Sequence, residues 1–306
     1  MRGDEPKKRN GFIRVLLTLV ALVLAVWVLV LVANALILQG LRAPRLSYAR
    51  APASNFGVAT EVSIATQNDK LLTGWFVQAD GTTSAPAVLV MHGWGANASL
   101  MQGCIAPLHA AGITVLLLDA RCHGRSDAES HTSLPRFAED IEAGLTWLRG
   151  QPQVDSQRLA VIGHSVGAGA ALLSATRCNK VRAVVSLSAF AHPHEVMLRY
   201  LASYRIPYPV VGWYVLQHVQ KVIGARFDTI APLRSIANLT CPVLLVHGRE
   251  DEMVPLGDAR RLLAAGQSSA VRLLEVAGGH DLRASLDEHL TEITDFLRQS
   301  LKPECP

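Results

Sequence analysis

A serine with a glycine two positions before it and another two positions after it lies in the segment 163–167, whose sequence is GHSVG. The mainly apolar run 158–162 is typical of a buried strand, and the small residues 168–171 are typical of a closely packed helix. Side chains at the two glycine positions would collide with a strained turn or block strand–helix packing. A turn of this kind exposes the serine hydroxyl to a base and to free backbone N–H groups. The pattern predicts that Ser165 is a nucleophile, with an ordinary glycine-rich turn as the alternative.

A serine nucleophile needs a histidine as its base and a carboxylate that orients this histidine. Two further segments offer these groups, each after an apolar run that predicts a buried strand. The run 241–248 precedes a polar loop that contains Asp251, and the run 271–276 precedes a loop that contains His280. Open α/β sheets form their sites beyond the carboxyl ends of the strands. We therefore expect both loops to meet Ser165 at one edge of a sheet.

Other side chains could take either role. Glu250 and Glu252 flank Asp251 and are alternative acids, whereas Asp281 is adjacent to His280 and sequence neighbours rarely point at each other. Of the eleven histidines, only His280 follows the acid in a suitable loop, because the one later histidine lies in a predicted amphipathic helix. Of the other histidines, His164 is expected to pack beside the nucleophile, whereas His92 and His247 precede glycines at strand ends and are expected to brace loops by hydrogen bonding.

Taken in chain order, these segments resemble the α/β-hydrolase superfamily over roughly residues 58–300. The resemblance rests on the serine turn, on an acid loop with the pattern HGxxDxxVP from residue 247, on the pair Gly279-His280, and on a His-Gly-x loop at 92–94. It implies a mostly parallel eight-stranded sheet with helices on both faces and a small helical cap. It also implies catalysis by Ser165, Asp251 and His280, with no cofactor and no metal.

Hydrolysis of an ester builds negative charge on the carbonyl oxygen, which two preorganised N–H groups can stabilise. The N–H of Val166, directly after the nucleophile, is one expected donor. The other should lie in the loop 92–97, which follows the predicted strand 86–91. Resemblance to the family's His-Gly-x loop assigns this second N–H to Trp94. The indole of Trp94 would then line the acyl pocket, or simply pack.

The loop 119–127 follows the predicted strand 113–118 and resembles a scaffolding segment of the same family. It has Cys122 where glycine is common. If this position needs a positive φ, the cysteine is mildly strained there. A redox role for Cys122 is the alternative.

Residues 15–38 contain no charged side chain and are almost wholly apolar. Their 24 residues are enough for a helix that crosses a hydrocarbon core of about 30 Å. We therefore predict a transmembrane helix after a basic tail, 1–14. Five basic residues precede the apolar segment and three follow it, which favours a cytoplasmic amino terminus and a catalytic domain on the periplasmic or extracellular side. A signal peptide cleaved near the small-x-small sequence at 33–35 is the alternative.

The formal net charge of +4 is concentrated at the ends of the apolar segment. Residues 1–14 and 41–50 each carry a net +3, which leaves −2 for the rest of the chain. The basic flanks could contact anionic lipid head groups, and nothing in this pattern favours nucleic-acid binding. The five cysteines are scattered and have neither metal-site spacing nor a disulfide framework.

The remaining chain is organised as a linker, 39–57, and one hydrolase domain, 58–306. The domain begins with an antiparallel hairpin formed by residues 61–66 and 71–79, and strands then alternate with helices, as in a parallel sheet. Two amphipathic helices are predicted at 134–149 and 283–301. The segment 190–225 concentrates aromatic residues and prolines, and we expect it to form the helical cap, with ordinary helix packing as the alternative.

The chemistry expected from these residues is two-step acyl transfer on a small-molecule or lipid acyl ester, or a thioester. The resemblance extends to membrane-anchored, prolyl-oligopeptidase-like and serine-aminopeptidase-type groups, so a peptidase is the enzymatic alternative. Such a peptidase needs an acidic group for the peptide amine, and Glu195 in the cap segment is a candidate. A third hypothesis is a membrane-anchored binding module without catalytic activity.

Overall fold

The computed structural model describes residues 5–46, 48, 59–81, 84–178, 180–266 and 271–303. Side chains of residues 5–10 and 283–287 are outside this description. Most of the predicted linker, residue 47 and residues 49–57, also lies outside the described residues. The chain forms two compact units, Met1–Leu41 and Arg42–Pro306.

The first unit is a single helix, α1 (Glu5–Gly40), of 36 residues. Its part from Gly11 to Gly40 has an 18-residue window of mean hydropathy 3.2, and the side chains of this window are exposed. The helix is therefore long and apolar enough to cross a membrane, a property that it shares with signal sequences. It extends beyond the predicted segment 15–38 because the charged residues before it are good helix formers, and it ends at a glycine.

The second unit is built on an eight-stranded sheet with the strand order β1-β2-β4-β3-β5-β6-β7-β8. Strand β2 is antiparallel to both of its neighbours, and all other neighbouring pairs are parallel. This arrangement confirms the predicted mostly parallel sheet with an antiparallel hairpin at one edge. The strands are β1 (Thr60–Thr66), β2 (Lys70–Val77), β3 (Ala85–Met91), β4 (Thr114–Leu118), β5 (Val154–His164), β6 (Val181–Leu187), β7 (Val243–Gly248) and β8 (Val271–Val276).

Helices cover both faces of this sheet, which explains why its central strands are apolar throughout. Val88 and Val90 belong to the core cluster that includes residues of the second and last helices, whereas Leu89 points to the opposite face, against Gly144. The helices of this unit are α2 (Ile105–Ala110), α3 (Leu134–Arg149), α4 (Val166–Arg177), α5 (Pro193–Ser203), α6 (Trp213–Ile223), α7 (Phe227–Ile230), α8 (Pro232–Ala237), α9 (Leu256–Ala265) and α10 (Arg283–Ser300).

Helices also fill the interval between β6 and β7, where the sequence predicts an insertion at 190–225. Helices α5 and α6 are joined there by a short π-helical turn, Tyr208–Gly212. Pro207 and Pro209 flank the first residue of this turn and prevent α5 from continuing into α6. Helices α7 and α8 extend the helical interval beyond the predicted limit, as far as Ala237.

A buried ionic cluster fastens the loop after β4 to α3. The guanidinium of Arg121 is fully buried and donates from Nε to Asp140 Oδ1 at 2.7 Å and from Nη2 to Glu139 Oε2 at 2.5 Å. The backbone N–H of Arg121 donates to the other oxygen of Asp140 at 2.7 Å. A buried charge that loses its partner is strongly destabilising, so this cluster fixes the position of the loop.

We expect Asp140→Ala to lower the free energy of unfolding by about 3 kcal/mol, because it leaves the buried Arg121 without its most deeply buried counter-charge. The control is Glu142→Gln, which breaks an ion pair with Arg177 that is 40% and 32% exposed and should cost less than about 1 kcal/mol. Urea unfolding of the full chain in detergent measures both. Equal losses in the two variants would contradict the role given to the cluster.

Candidate active site

Ser165 lies at the turn between β5 and α4 in a strained backbone conformation, with φ 54° and ψ −115°. A residue other than glycine rarely adopts such a conformation, and holding it costs about 1–3 kcal/mol. The neighbouring elements hold it in place. The N–H of Ser165 donates to the carbonyl of Leu187 at 2.8 Å, and its own carbonyl accepts from the N–H groups of Ala168 and Gly169.

The glycines around Ser165 are needed for close packing, as the sequence predicts. A Cβ on Gly163 would overlap the carbonyl of Gly167, and a Cβ on Gly167 would overlap the carbonyl of His92. The loop after β3 lies equally close, because a Cβ on Gly93 would be 3.2 Å from the Cβ of Ser165. The strand, the helix and the His-Gly-x loop thus approach one another closely at the serine.

Asp251 follows β7 and is nearly buried. Its Oδ1 accepts hydrogen bonds from the N–H groups of Met253 and Val254 at 3.0 and 2.7 Å, and its Oδ2 lies 2.8 Å from Nδ1 of His280. Burial raises the pKa of Asp251, but the hydrogen bonds from His280 and Val254 outweigh it and hold the pKa below its usual range. Asp251 is therefore an ionised acceptor at neutral pH.

His280 connects the acid to the serine. Its Nδ1 faces Asp251, and its Nε2 lies 2.9 Å from Oγ of Ser165. The structure thus brings together the three side chains that the sequence singles out. Glu250, an alternative acid, instead accepts from the N–H of Gly278 at 2.5 Å and so braces the histidine loop.

His164 has a role that the sequence analysis missed. The sequence predicts a packing neighbour of the nucleophile, but Nε2 of His164 lies 2.9 Å from the backbone carbonyl of His280. Burial lowers the pKa of His164, so its ring stays neutral and Nε2–H donates this bond. The residue before the serine therefore holds the loop of His280. A hydrogen-bonding side chain at this position is the sequence signal that could have suggested the contact.

The two predicted oxyanion donors flank this arrangement. Neither the N–H of Trp94 nor that of Val166 donates to a carbonyl of the described residues. Trp94 follows Gly93, which packs on Ser165, and its indole makes an edge-to-face contact with the ring of His123 at 6.1 Å. Two free N–H groups beside the serine could bind an oxyanion.

Comparison with known proteins agrees with this geometry. A family model described as "Serine aminopeptidase, S33" matches residues 82–226. An uncharacterized protein of Mycobacterium tuberculosis is 30% identical over 241 residues, which are 79% of this chain and 78% of that protein. The chain belongs to the α/β-hydrolase superfamily and is a serine hydrolase.

Further relatives and solved structures are similar to this hydrolase over part or most of its length. The thiohydrolase apmlB of Arthrinium phaeospermum is 32% identical over 142 residues, 45% of this chain and 46% of that protein. A structure of the Pyrococcus furiosus esterase Pf2001 has a TM-score of 0.70 at 21% identity and covers 86% of this chain and 98% of its own. The thioesterase domain from the curacin biosynthetic pathway has a TM-score of 0.56 at 17% identity, with coverages of 78% and 99%. These two structures support the fold.

Two buried, neutral histidines join the His-Gly-x loop of the hydrolase to the loop after β4. Nε2 of His92 accepts from the N–H of Ala120 at 3.1 Å, and Nε2 of His123 accepts from the N–H of Gly95 at 3.1 Å. Burial lowers the pKa of His92 to about 4, and burial together with the nearby His92 lowers the pKa of His123 to about 3. Both rings therefore keep the unprotonated nitrogen that these bonds require.

Cys122 lies in the same loop with φ 66°, so the position does need a positive φ, and the cysteine is strained as the sequence predicts. Its thiol is buried, and Sγ accepts from the N–H of Glu129 at 3.2 Å. A buried, hydrogen-bonded thiol of this kind is typical of a structural cysteine, and these contacts give no support for a redox role of Cys122.

The segment that follows α1 in sequence, residues 42–46 and 48, packs on the same two loops of the hydrolase. The hydroxyl of Tyr48 donates to Oδ2 of Asp119 at 2.8 Å and accepts from Nε1 of Trp75 at 2.9 Å. Burial and the Asp119 carboxylate raise the pKa of Tyr48, so the hydroxyl keeps the proton that it donates.

This contact reaches the His-Gly-x loop through one carboxylate. Oδ1 of Asp119 accepts from the N–H of Ala98 at 2.7 Å, while Oδ2 holds Tyr48. Nδ2 of Asn97 donates to the carbonyl of Leu46 at 3.0 Å. The segment therefore positions the loop whose residue Trp94 is the predicted oxyanion donor.

Stability of the hydrolase should fall as the pH drops from about 6.5 towards 4. His92 and His123 have folded-state pKa values of about 4 and about 3, below the value of about 6.5 in an unfolded chain, so the unfolded state binds more protons in this window. Each ring contributes a slope of up to about 1.4 kcal/mol per pH unit. We expect His123→Gln to remove one such contribution. Urea unfolding between about pH 6.5 and 5 measures the slope, and an unchanged slope would refute the assignment.

Tyr48→Phe should lower kcat on an ester about tenfold and leave KM nearly unchanged, because the loop loses part of its support without losing substrate contacts. Affinity for a tetrahedral inhibitor such as a boronic acid should fall in parallel. The control is Thr146→Val, which removes an exposed hydroxyl on α3 that donates to the carbonyl of Glu142 at 2.8 Å, and it should leave both quantities unchanged. If Tyr48→Phe altered only the melting temperature, the segment would have a structural role alone.

Proposed function

We propose that this serine hydrolase cleaves carboxylic ester or thioester bonds through an acyl-enzyme. The observation that carries the proposal is the chain of hydrogen bonds from Asp251 through His280 to Ser165, with distances of 2.8 and 2.9 Å. A base at hydrogen-bond distance from a hydroxyl, itself held by an ionised carboxylate, is what activates a serine.

The proposed reaction has two steps. His280 Nε2 takes the proton of Ser165 as Oγ attacks the carbonyl carbon, and Asp251 stabilises the imidazolium that forms. The N–H groups of Trp94 and Val166 bind the oxyanion. His280 then protonates the leaving alcohol or thiol, and a water activated by the same imidazole releases the acid.

An ester or thioester substrate is supported by the names of similar proteins, which include a thiohydrolase, an esterase and a thioesterase domain. We propose a small-molecule or lipid acyl ester as the substrate. The helical insertion that contains α5 and α6 is proposed as a cap over the acyl site.

A peptidase is the second candidate, because the matching family model is described as a serine aminopeptidase. An aminopeptidase needs a free acidic group for the peptide amine. Glu195, the acid considered for this role, is engaged by both guanidinium nitrogens of Arg261 at 2.7 and 2.8 Å. A carboxylate neutralised in this way is poorly suited to binding an ammonium group, which favours the esterase.

We also propose that α1 anchors the protein in a membrane, with the amino terminus in the cytoplasm and the hydrolase domain on the periplasmic or extracellular side. The proposal is supported by the apolar stretch Gly11–Gly40 and by the excess of basic residues before it. A cleaved signal sequence is the competing interpretation.

A fluorophosphonate probe should label Ser165, and Ser165→Ala should abolish both labelling and ester hydrolysis. Asp251→Asn should lower kcat by about 10⁴-fold, because the histidine loses its orientation and counter-charge. Glu252→Gln is the matched control, an adjacent and exposed acid whose loss should have little effect. Labelling is read by gel fluorescence and turnover with p-nitrophenyl esters of graded length, thioesters and aminoacyl anilides.

Each outcome selects one candidate. Turnover of esters or thioesters without turnover of the anilides supports the proposed reaction. Turnover of the aminoacyl anilides supports the peptidase, because a serine peptidase also cleaves activated esters. Absence of labelling in the folded wild-type chain would leave a silent binding module and overturn both.

A further inference from the structure

The turn between α5 and α6 exposes an unusual amount of apolar surface. We call residues 200–213 the aromatic tip. Six large side chains there are between 45% and 75% exposed: Tyr200, Tyr204, Tyr208, Val210, Val211 and Trp213. Single exposed apolar side chains are common, but a cluster of this kind marks an interaction surface.

The aromatic tip is one continuous feature. The rings of Tyr200 and Tyr204 lie 5.0 Å apart on the last turns of α5. The π-helical turn packs back on the same helix, because a Cβ on Gly212 would be 3.5 Å from Cδ1 of Leu201. The end of α5, the turn and the start of α6 therefore present their side chains together.

The charge of this region has a single sign. Residues 196–227 contain no aspartate and no glutamate, and they contain four basic residues: Arg199, Arg205, Lys221 and Arg226. Arg199 pairs with Asp258, and Arg226 lies near Asp228. Within the described residues, no carboxylate pairs with Arg205 or Lys221, and both are exposed. Arg205 therefore gives the aromatic tip a free cation, and Lys221 adds a second one farther along α6.

Arg205 stands at the centre of the aromatic tip in a strained conformation. Its φ is 56°, and it terminates α5 at the position where helices favour glycine. The N–H of Ile206 donates to the carbonyl of Leu201 at 3.0 Å and closes the helix end. Glycine would adopt this backbone without strain, so an arginine here adds charge at the expense of local stability.

We propose that the aromatic tip docks on the surface of a lipid bilayer that contains anionic lipids. Tyrosine and tryptophan side chains are favoured at the membrane–water interface, and valines can enter the acyl boundary beside them. Arginine and lysine near such a surface are attracted to anionic head groups. Docking on a protein surface is the competing outcome that the experiment below tests.

This inference rests on the proposed membrane anchoring and is independent of the proposed chemistry. If α1 is inserted in a bilayer, the hydrolase domain is tethered to that bilayer at a high effective concentration. Even a weak affinity of the aromatic tip for the bilayer surface is then enough for docking. Docking of the aromatic tip would bring the hydrolase domain to the lipid phase, from which acyl substrates can be drawn.

The test uses the full chain in lipid nanodiscs of phosphatidylcholine, with or without phosphatidylglycerol, and with or without brominated acyl chains. The difference between wild type and Trp213→Phe isolates the emission of Trp213. We expect this emission to be quenched by brominated lipid and protected from aqueous iodide, more so with phosphatidylglycerol. Arg205→Gly should weaken the contact about fivefold, the effect of one basic residue at an anionic surface, without lowering the melting temperature.

Trp27 in α1 reports separately on the anchor, through the difference between wild type and Trp27→Phe. Fluorophosphonate labelling of the same samples reports separately on the active site. Quenching of Trp213 by iodide and not by brominated lipid would place the aromatic tip in water and overturn the proposal. Shielding of Trp213 from both quenchers would indicate a protein partner, such as a second copy of this chain, and would also overturn it.

Discussion

The strained backbone of Ser165 is the constraint on which the rest of the active site depends. Its φ of 54° keeps Oγ out of the sheet and within 2.9 Å of His280 Nε2. This conformation persists only where neighbouring elements can approach closely, which requires glycine at 163 and 167. The same approach brings the His-Gly-x loop to the serine, so one turn determines the position of both the nucleophile and the predicted oxyanion donors.

Local strain of this kind must be offset by well-satisfied contacts around it. The loops that surround the serine are held by neutral histidine rings, by the carboxylate of Asp119 and by the buried pair Arg121–Asp140. The rings of His92 and His123 and the carboxylate of Asp119 each accept a hydrogen bond from a backbone N–H of a neighbouring loop. The carboxylate of Asp140 pairs with the buried guanidinium of Arg121. The polar interior is therefore concentrated where the chemistry needs rigid backbone, and the two faces of the sheet are left apolar.

Sequence periodicity and turn chemistry predicted a mostly parallel sheet with Ser165 and two later loops at one edge, because each of these segments follows an apolar run. The family resemblance then selected Asp251 and His280 within the two loops. Contacts between distant loops were beyond this reasoning. The bond from His164 to the carbonyl of His280 joins residues 116 positions apart, and that from Tyr48 to Asp119 joins residues 71 apart. Local patterns carry no information on such pairs. Helix α1 is longer than the predicted span for another reason: the charge-free segment marks only the part that can cross a membrane, and the helix continues into charged residues that also favour helix.

In the proposed reaction, Ser165 becomes acylated during turnover. Rapid acid quenching of the full chain with a chromogenic ester, followed by digestion and mass spectrometry, measures this directly. We expect the peptide containing Ser165 to gain the mass of the acyl group within one turnover and to lose it as substrate is exhausted. Turnover of the ester with no acyl group on Ser165 at any time, or with the acyl group on another residue, would contradict it.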